Sequence, residues 1–246
     1  MKLTQVYRKV LNLAKPGPAE APARLPDPAL HRNCTELEVN KWVISEFVVN
    51  RLVPLVGMHP FPLDELMLMA TAVCYFRPTH VFEWGTHIGK SARIFYEAGQ
   101  TFSVPLQVHS ADLPDEVGHV EHPGMSRGML VRGLPGVQLH QGDGLDTALD
   151  VYRRAAGGGT RVLPLFFVDG DHSYQSVKRE LTGILAAVPH AVVLLHDTFY
   201  QSEGAGYNVG PYRAIEEVLA GRPGYRVIAT RNGLPGMTLV YASPTQ

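Results

Sequence analysis

The stretch Leu165-Phe166-Phe167-Val168-Asp169-Gly170-Asp171-His172 decides the fold class. An unbroken apolar run stops abruptly at ionisable residues. The pattern recurs at Val192-Val193-Leu194-Leu195, which is followed by His196-Asp197-Thr198. Short apolar runs without alternation read as parallel strands covered on both faces. Ligands of open α/β sheets bind beyond the carboxyl ends of such strands. If the two strands are neighbours, Asp169, Asp171, His196 and Asp197 converge. Clustered carboxylates raise each other's pKa unless a cation or a proton lies between them. The paired strand ends are therefore the first candidate for chemistry.

Working outward, strand and helix patterns alternate from residue 79 onward. Strands are expected at Thr79–Trp84, Leu106–Ala111, Val137–Gln141, Val162–Val168 and Ala191–Leu195. Helices are expected at Lys90–Ala98, at about 173–187 and at Pro211–Ala220. Tyr225–Thr230 and Met237–Tyr241 are too close for a helical crossover, so they form an antiparallel closing hairpin. The fold class is α/β: a Rossmann-like, doubly wound, mostly parallel seven-stranded sheet with an antiparallel last strand, plus N-terminal helices. Helices at roughly 36–52 and 62–77 precede it, the second bracketed by Pro62 and Pro78. Residues 2–14 fit a short basic amphipathic helix that docks on the body or on another subunit. Residues 16–29 are rich in proline and alanine and read as an extended tether. The expected division is an extension over 1–60 and a catalytic domain over 61–246.

The 246 residues can bury one large core, and the formal net charge of -1 gives no reason to expect nucleic acid or an anionic membrane as partner. Cys34 and Cys74 have no zinc-type spacing. No apolar stretch spans a bilayer, and the first residues lack a secretory core, so the expected location is cytoplasmic.

The first strand runs into Glu83-Trp84-Gly85-Thr86-His87-Ile88-Gly89-Lys90-Ser91. Gly85 permits a tight turn close to a ligand, and Gly89 permits close packing at a helix start. The spacing is neither a dinucleotide fingerprint nor a P-loop. A glutamate here repels pyrophosphate and attracts a cationic group.

The series EWGTHIGKS, ADLPD, HQGDGLD, FFVDGDHSYQSVKREL and VVLLHDT, spread over about residues 62–241, resembles the class I S-adenosylmethionine-dependent methyltransferases. It is most similar to the branch with a DGDHSY motif, which includes sugar and natural-product O-methyltransferases. The resemblance implies a cofactor site of Glu83, Gly85, Thr86, Gly89, Ser91, Asp112, Asp143 and Asp169. Asp112 would meet the ribose hydroxyls and Glu83 the cofactor's amino acid portion. Asp143 would lie near the adenine amino group; read from the chain alone, it is equally a helix N-cap. Metal-dependent relatives imply Asp169, His196 and Asp197 as ligands of Mg²⁺ or Mn²⁺, with Asp171 as general base or further ligand and His172 orienting the acceptor or moving a proton. His196 stands where those relatives often carry an acid, which favours Mn²⁺, another transition metal, or no metal. Without a metal, His196 or His172 is the base.

His119 and His122 fall in a polar loop, and Tyr200, Tyr207 and Tyr212 in a glycine-rich segment after the fifth strand; the first is a candidate lid, the second a candidate acceptor loop. The expected function is O-methylation of a small hydroxylated metabolite, a sugar or natural product. The expected partners are that small molecule and a second copy of the chain. Two other classes remain open: a cofactor-binding protein without transfer activity, and a metal-dependent hydroxylase or hydrolase on the same scaffold.

Overall fold

The computed structural model describes residues 25–30, 36–119, 122–159 and 161–243. The expected helix over 2–14 and Cys34 lie outside the described residues.

An N-terminal helix α1 (Lys41–Phe47) passes through a π-helical turn (Val48–Leu52) into α2 (Val53–Val56). Then follow α3 (Leu63–Phe76), β1 (His80–Trp84), α4 (Lys90–Thr101), β2 (Gln107–Asp112) and β3 (Val137–Gln141). The chain continues through α5 (Gly144–Gly157), β4 (Pro164–Val168), α6 (Tyr174–Ala187), β5 (Val192–His196) and α7 (Val209–Leu219). It closes with β6 (Tyr225–Ala229) and β7 (Met237–Ala242).

The strands form one seven-stranded sheet in the order β3-β2-β1-β4-β5-β7-β6. The first five strands pair in parallel, and β7 is antiparallel to both β5 and β6. This is the expected doubly wound architecture, with β7 inserted between β5 and β6. The order reverses at β1, whose neighbours are β2 and β4. Crevices at such reversal points hold ligands in open α/β sheets.

Strand alternation divides the core into two layers. Val81, Val108, Leu165, Phe167 and Leu194 face one layer, shared with Ile44, Phe47, Leu52, Leu66, Met69, Ile94 and Phe95. Phe82, Trp84, Phe166, Val168 and Val193 face the other, with Leu149, Leu181, Ile184 and Ile215. Residues from 41 to 56 are thus built into the main core. The first helix begins later than expected because Asn40 caps it, its side chain accepting from the Val43 N–H. The residues before it are extended, with an antiparallel bridge between Ala29 and Val39. The described end of the expected tether is docked: the Leu25 N–H donates to the Thr101 carbonyl at 2.7 Å, and Arg77 pairs with Asp27 at 2.8 Å.

One close approach fixes the crevice. Gly85 has φ +88, and a Cβ on it would fall 2.0 Å from the Asp169 carbonyl oxygen. The ends of β1 and β4 can touch only because this residue lacks a side chain. Gly85→Ala should therefore cost roughly 3 kcal/mol or more in chemical denaturation, combining a left-handed backbone with a steric clash. Gly133 has φ +81 with open space around it, so Gly133→Ala should show only the backbone cost, about 1 kcal/mol. Equal losses in the two variants would mean that the contact with Asp169 does not matter.

Candidate active site

Parallel register brings the acid of β1 beside a hydroxyl of β2. Glu83 is the partner of Ser110 across the β1–β2 ladder, and the Ser110 hydroxyl donates to Glu83 Oε1. Ser110 also shares a 2.6 Å hydrogen bond with the Thr86 hydroxyl. Burial pushes the Glu83 carboxyl up to about 7; Ser110 and Ser91 oppose the shift, and the charges of Asp169 and Asp112 add to it. Its second oxygen, Oε2, is buried without a hydrogen-bond partner. A buried carboxylate oxygen lacking a donor is costly unless a ligand supplies one. Gly89, at the start of α4, has φ +89, and a Cβ there would meet Val131 at 2.9 Å. The turn is therefore closely packed from both sides.

Asp112, at the end of β2, accepts from the backbone N–H of His87 at 2.9 Å and of Leu113 at 2.8 Å. Buried Arg127, which sequence reasoning missed, brings its Nε within 3.6 Å of the same carboxylate. The Arg127 guanidinium also bonds Asp115 and the Leu113 carbonyl, so it pins the loop that follows β2. His122, in the candidate lid, contacts Arg127 at 2.9 Å. Asp143 is the N-cap of α5, accepting from the Asp146 N–H at 2.9 Å, and it pairs with Arg179.

At the other strand ends the acids gather around a histidine. His196 is 4% exposed. Its Nδ1 lies 2.9 Å from Asp169 Oδ1 and 3.4 Å from Asp197 Oδ2, while its Nε2 lies 3.0 Å from Glu65 Oε2. A carboxylate has no hydrogen to donate, so both ring nitrogens donate and the ring is an imidazolium. Burial alone would lower the pKa of His196, but the Asp169 charge and the hydrogen bonds to Asp169, Asp197 and Glu65 hold it well above the usual value. Phe61 closes the edge of the ring at 4.8 Å between centroids.

This arrangement bears on two sequence expectations. His196 was expected as a metal ligand or base; here both of its ring nitrogens face carboxylate oxygens, Nδ1 toward Asp169 and Nε2 toward Glu65. Asp171 was expected as the base; its carboxylate braces Ser173, the N-cap of α6, accepting from the Ser173 N–H and hydroxyl at 3.0 Å each and from the Ser176 hydroxyl. Those bonds, the one from Ser176 foremost, hold its pKa below the usual carboxylate range. It is a poor proton acceptor.

His172 meets the same acids from the exposed side. Its Nε2 lies 3.2 Å from Asp197 Oδ2, and the side chain is 39% exposed at the mouth of the crevice. Tyr207 donates to Asp197 Oδ1 at 2.9 Å, which ties the candidate acceptor loop to the cluster. Burial pushes Asp197 up, but bonds and charge from His196, His172 and Tyr207 outweigh it and leave its pKa lowered. Among the described residues, ligand atoms of Asp169, His172 and Asp197 converge to within 4.8 Å of one another. Tyr200 and Tyr212 stack on each other at 4.7 Å instead of facing the cluster.

Glu65 was also missed by sequence reasoning. It sits in the first turn of α3, 1% exposed, where the helix N-terminus favours a negative charge. An acid on the apolar face of an otherwise buried helix was the available signal.

Residues 82–198 match a family model described as a methyltransferase domain. No curated protein matches the chain in sequence. Among solved structures, the chain resembles the O-methyltransferase TomG from Streptomyces achromogenes, involved in tomaymycin synthesis and solved with S-adenosylmethionine: TM-score 0.55, 17% identity, covering 85% of this chain and 92% of that one. An O-methyltransferase from Bacillus cereus, solved with S-adenosylhomocysteine, matches with TM-score 0.51 and 16% identity over 82% of this chain and 91% of that one. The methyltransferase PaMTH1 of Podospora anserina, also bound to S-adenosylhomocysteine, gives TM-score 0.52 and 16% identity over 83% and 88%. At these identities the likeness is one of fold. The family match, however, runs from β1 through the glycine turn to the residue after Asp197, and so takes in both acid-bearing strand ends. Residues 82–198 are therefore similar to the methyltransferase-domain family, and the chain shares its fold with solved O-methyltransferases, in keeping with the motif series.

Proposed function

We propose that this protein methylates a hydroxyl group of a small metabolite, a sugar or natural product, with S-adenosylmethionine as donor. The observation that carries the reading is Glu83: a buried carboxylate at the glycine turn whose Oε2 lacks a donor. The ammonium of an amino acid moiety fits that oxygen in charge and in hydrogen-bonding capacity. Asp112, at the next strand end, retains lone pairs for a ribose diol. O-methyltransferases of the same fold, solved with S-adenosylmethionine or its product, support the choice of cofactor and of transfer to oxygen. When bound, the cofactor supplies an activated methyl group.

The chain's own task is then to align the acceptor and remove its proton. In this reading His172 is the base. Asp197 Oδ2 accepts from Nε2–H, which fixes the tautomer and leaves the lone pair on Nδ1 for the acceptor hydroxyl. Tyr207 holds Asp197 from the other side. A divalent cation is the second reading, favoured by the convergence of Asp169, His172 and Asp197. The mixed nitrogen and oxygen donors suit Mn²⁺ better than Mg²⁺.

Saturating S-adenosylhomocysteine should raise the melting temperature by about 5 °C, and no shift would sink the cofactor assignment. With a panel of hydroxylated aromatics and sugars, mass spectrometry should find a product heavier by one methylene unit. On the acceptor so found, His172→Gln should lower kcat about 100-fold with cofactor affinity kept; unchanged kcat would remove His172 from the mechanism. Full turnover in chelator supports the histidine base, and loss restored by Mn²⁺ supports the cation.

Glu83 makes a separate prediction about pH. Its carboxyl titrates at about 7 when folded, against an ordinary value of 4.5. The folded state therefore binds this proton more tightly than the unfolded chain. The resulting stability is fully present below pH 4.5 and is lost as pH rises to about 7. The gap corresponds to roughly 3 kcal/mol. Denaturation of Glu83→Gln against wild type should show the variant gaining by about that amount across the window; a constant difference would contradict the raised value.

A further inference from the structure

Glu65 contacts the site from outside residues 82–198, the stretch that matches the family model. Its carboxylate is fully engaged: Oε2 accepts from His196 Nε2–H at 3.0 Å, and Oε1 accepts from the Gly236 N–H at 2.8 Å. Gly236 in turn accepts from the Thr198 N–H at 3.0 Å, and Pro235 accepts from the Phe199 N–H at 3.0 Å and the Asn208 side chain at 2.7 Å. One carboxylate thus joins α3, the end of β5 and the β6–β7 turn to the segment that follows Asp197.

The charges show what this junction does. The imidazolium of His196 is enclosed by three carboxylates, Glu65, Asp169 and Asp197. Asp169 and Asp197 are the two that lie at the strand ends. Glu65 lies on the far side of the ring, in the first turn of α3. Without it, the ring's charge would be balanced by the strand-end pair alone. With it, the ring is neutralised from behind and the pair keeps its negative charge toward the crevice.

We propose that Glu65 is a positioning residue of the transfer centre: by holding and neutralising His196 from α3, it keeps Asp169 and Asp197 in place and leaves their charge free to attract the cationic sulfonium of the cofactor. The inference rests on the cofactor reading above. It makes the site prefer the charged donor over its neutral product, which differs at the sulfur by one methyl group and one charge.

The test is calorimetric titration with S-adenosylmethionine and with S-adenosylhomocysteine. Glu65→Gln retains an acceptor for Gly236 but removes the charge. It should weaken the sulfonium ligand about tenfold relative to the thioether, the effect of one charge at ~12 Å and an effective dielectric of about 20. The double variant Glu65→Gln, His196→Gln removes one charge of each sign and should restore the wild-type preference. A merely structural Glu65 would weaken both ligands together, with no restoration in the double variant, and that result overturns the proposal. An unchanged preference in Glu65→Gln overturns it equally. Wild-type protein that binds neither ligand defeats the cofactor reading itself and takes this inference with it, an outcome distinct from the other two. If Glu65→Gln alone fails to fold, the preference of the neutral double variant still decides: a value unlike wild type rejects the charge argument.

Discussion

An imidazolium enclosed by three carboxylates is the interaction on which the site depends. His196 ends β5, Asp169 follows β4, and Glu65 belongs to a helix far away in sequence. Taking one such charge out of water is expensive, and the attraction of the surrounding acids offsets that cost only when every donor is matched. Here both ring nitrogens are matched, and Phe61 and Phe167 exclude water from its faces and edges. The cluster therefore orders several elements at once. Any movement of α3 against β5 would strand buried charge, so the strand ends, the N-terminal helices and the β6–β7 turn are held as one unit.

Strand alternation explains why the polar groups share one layer. Glu83 comes two residues after Val81, Ser110 two after Val108, Asp169 two after Phe167 and His196 two after Leu194, and the earlier member of each pair lies in the same apolar core. With a period of two, each polar residue points to the same side as its apolar predecessor. The sheet is apolar below and polar at its carboxyl edge, on the face covered by α3 and α4. Each polar group then needs a partner from that layer. Ser110, itself bonded to Thr86, supplies one for Glu83 Oε1, and Glu65 supplies one for His196.

This geometry also sets what could be read from the chain beforehand. The strands were legible because LFFV and VVLL leave little alternative to buried parallel pairing, and the helices alternating with them implied a doubly wound, mostly parallel sheet. The acids were legible because a charge at the end of such a run has to face the crevice. The roles within the cluster were not. Whether His172 or His196 meets the crevice depends on which helix packs behind β5, and no local pattern reports that Glu65 will stand at Nε2. The partners of Asp171, by contrast, were legible: Ser173 and Ser176 are adjacent in the sequence, and the serine-rich start of α6 is a capping signal. Arg127 was missed because a loop arginine becomes buried only once the loop folds back on Asp112.

The two halves of the crevice differ in what they lack. Around His196 every buried donor has an acceptor, so that half is complete as a protein structure. Around Glu83 the account does not close, because one oxygen is buried with nothing to receive from. Arg127 Nε, beside Asp112, is likewise buried without a hydrogen bond. Unmatched polar atoms are rare in native interiors, and they cluster where a ligand completes the network. The incomplete half lies at the topological reversal between β2, β1 and β4, and the complete half lies one strand over. A ligand carrying a cationic amine and a diol would fill the first half, and its reactive end would then extend toward the second, where every buried donor is matched, the strand-end acids keep a net negative charge, and a half-exposed His172 is the group left free to take a proton.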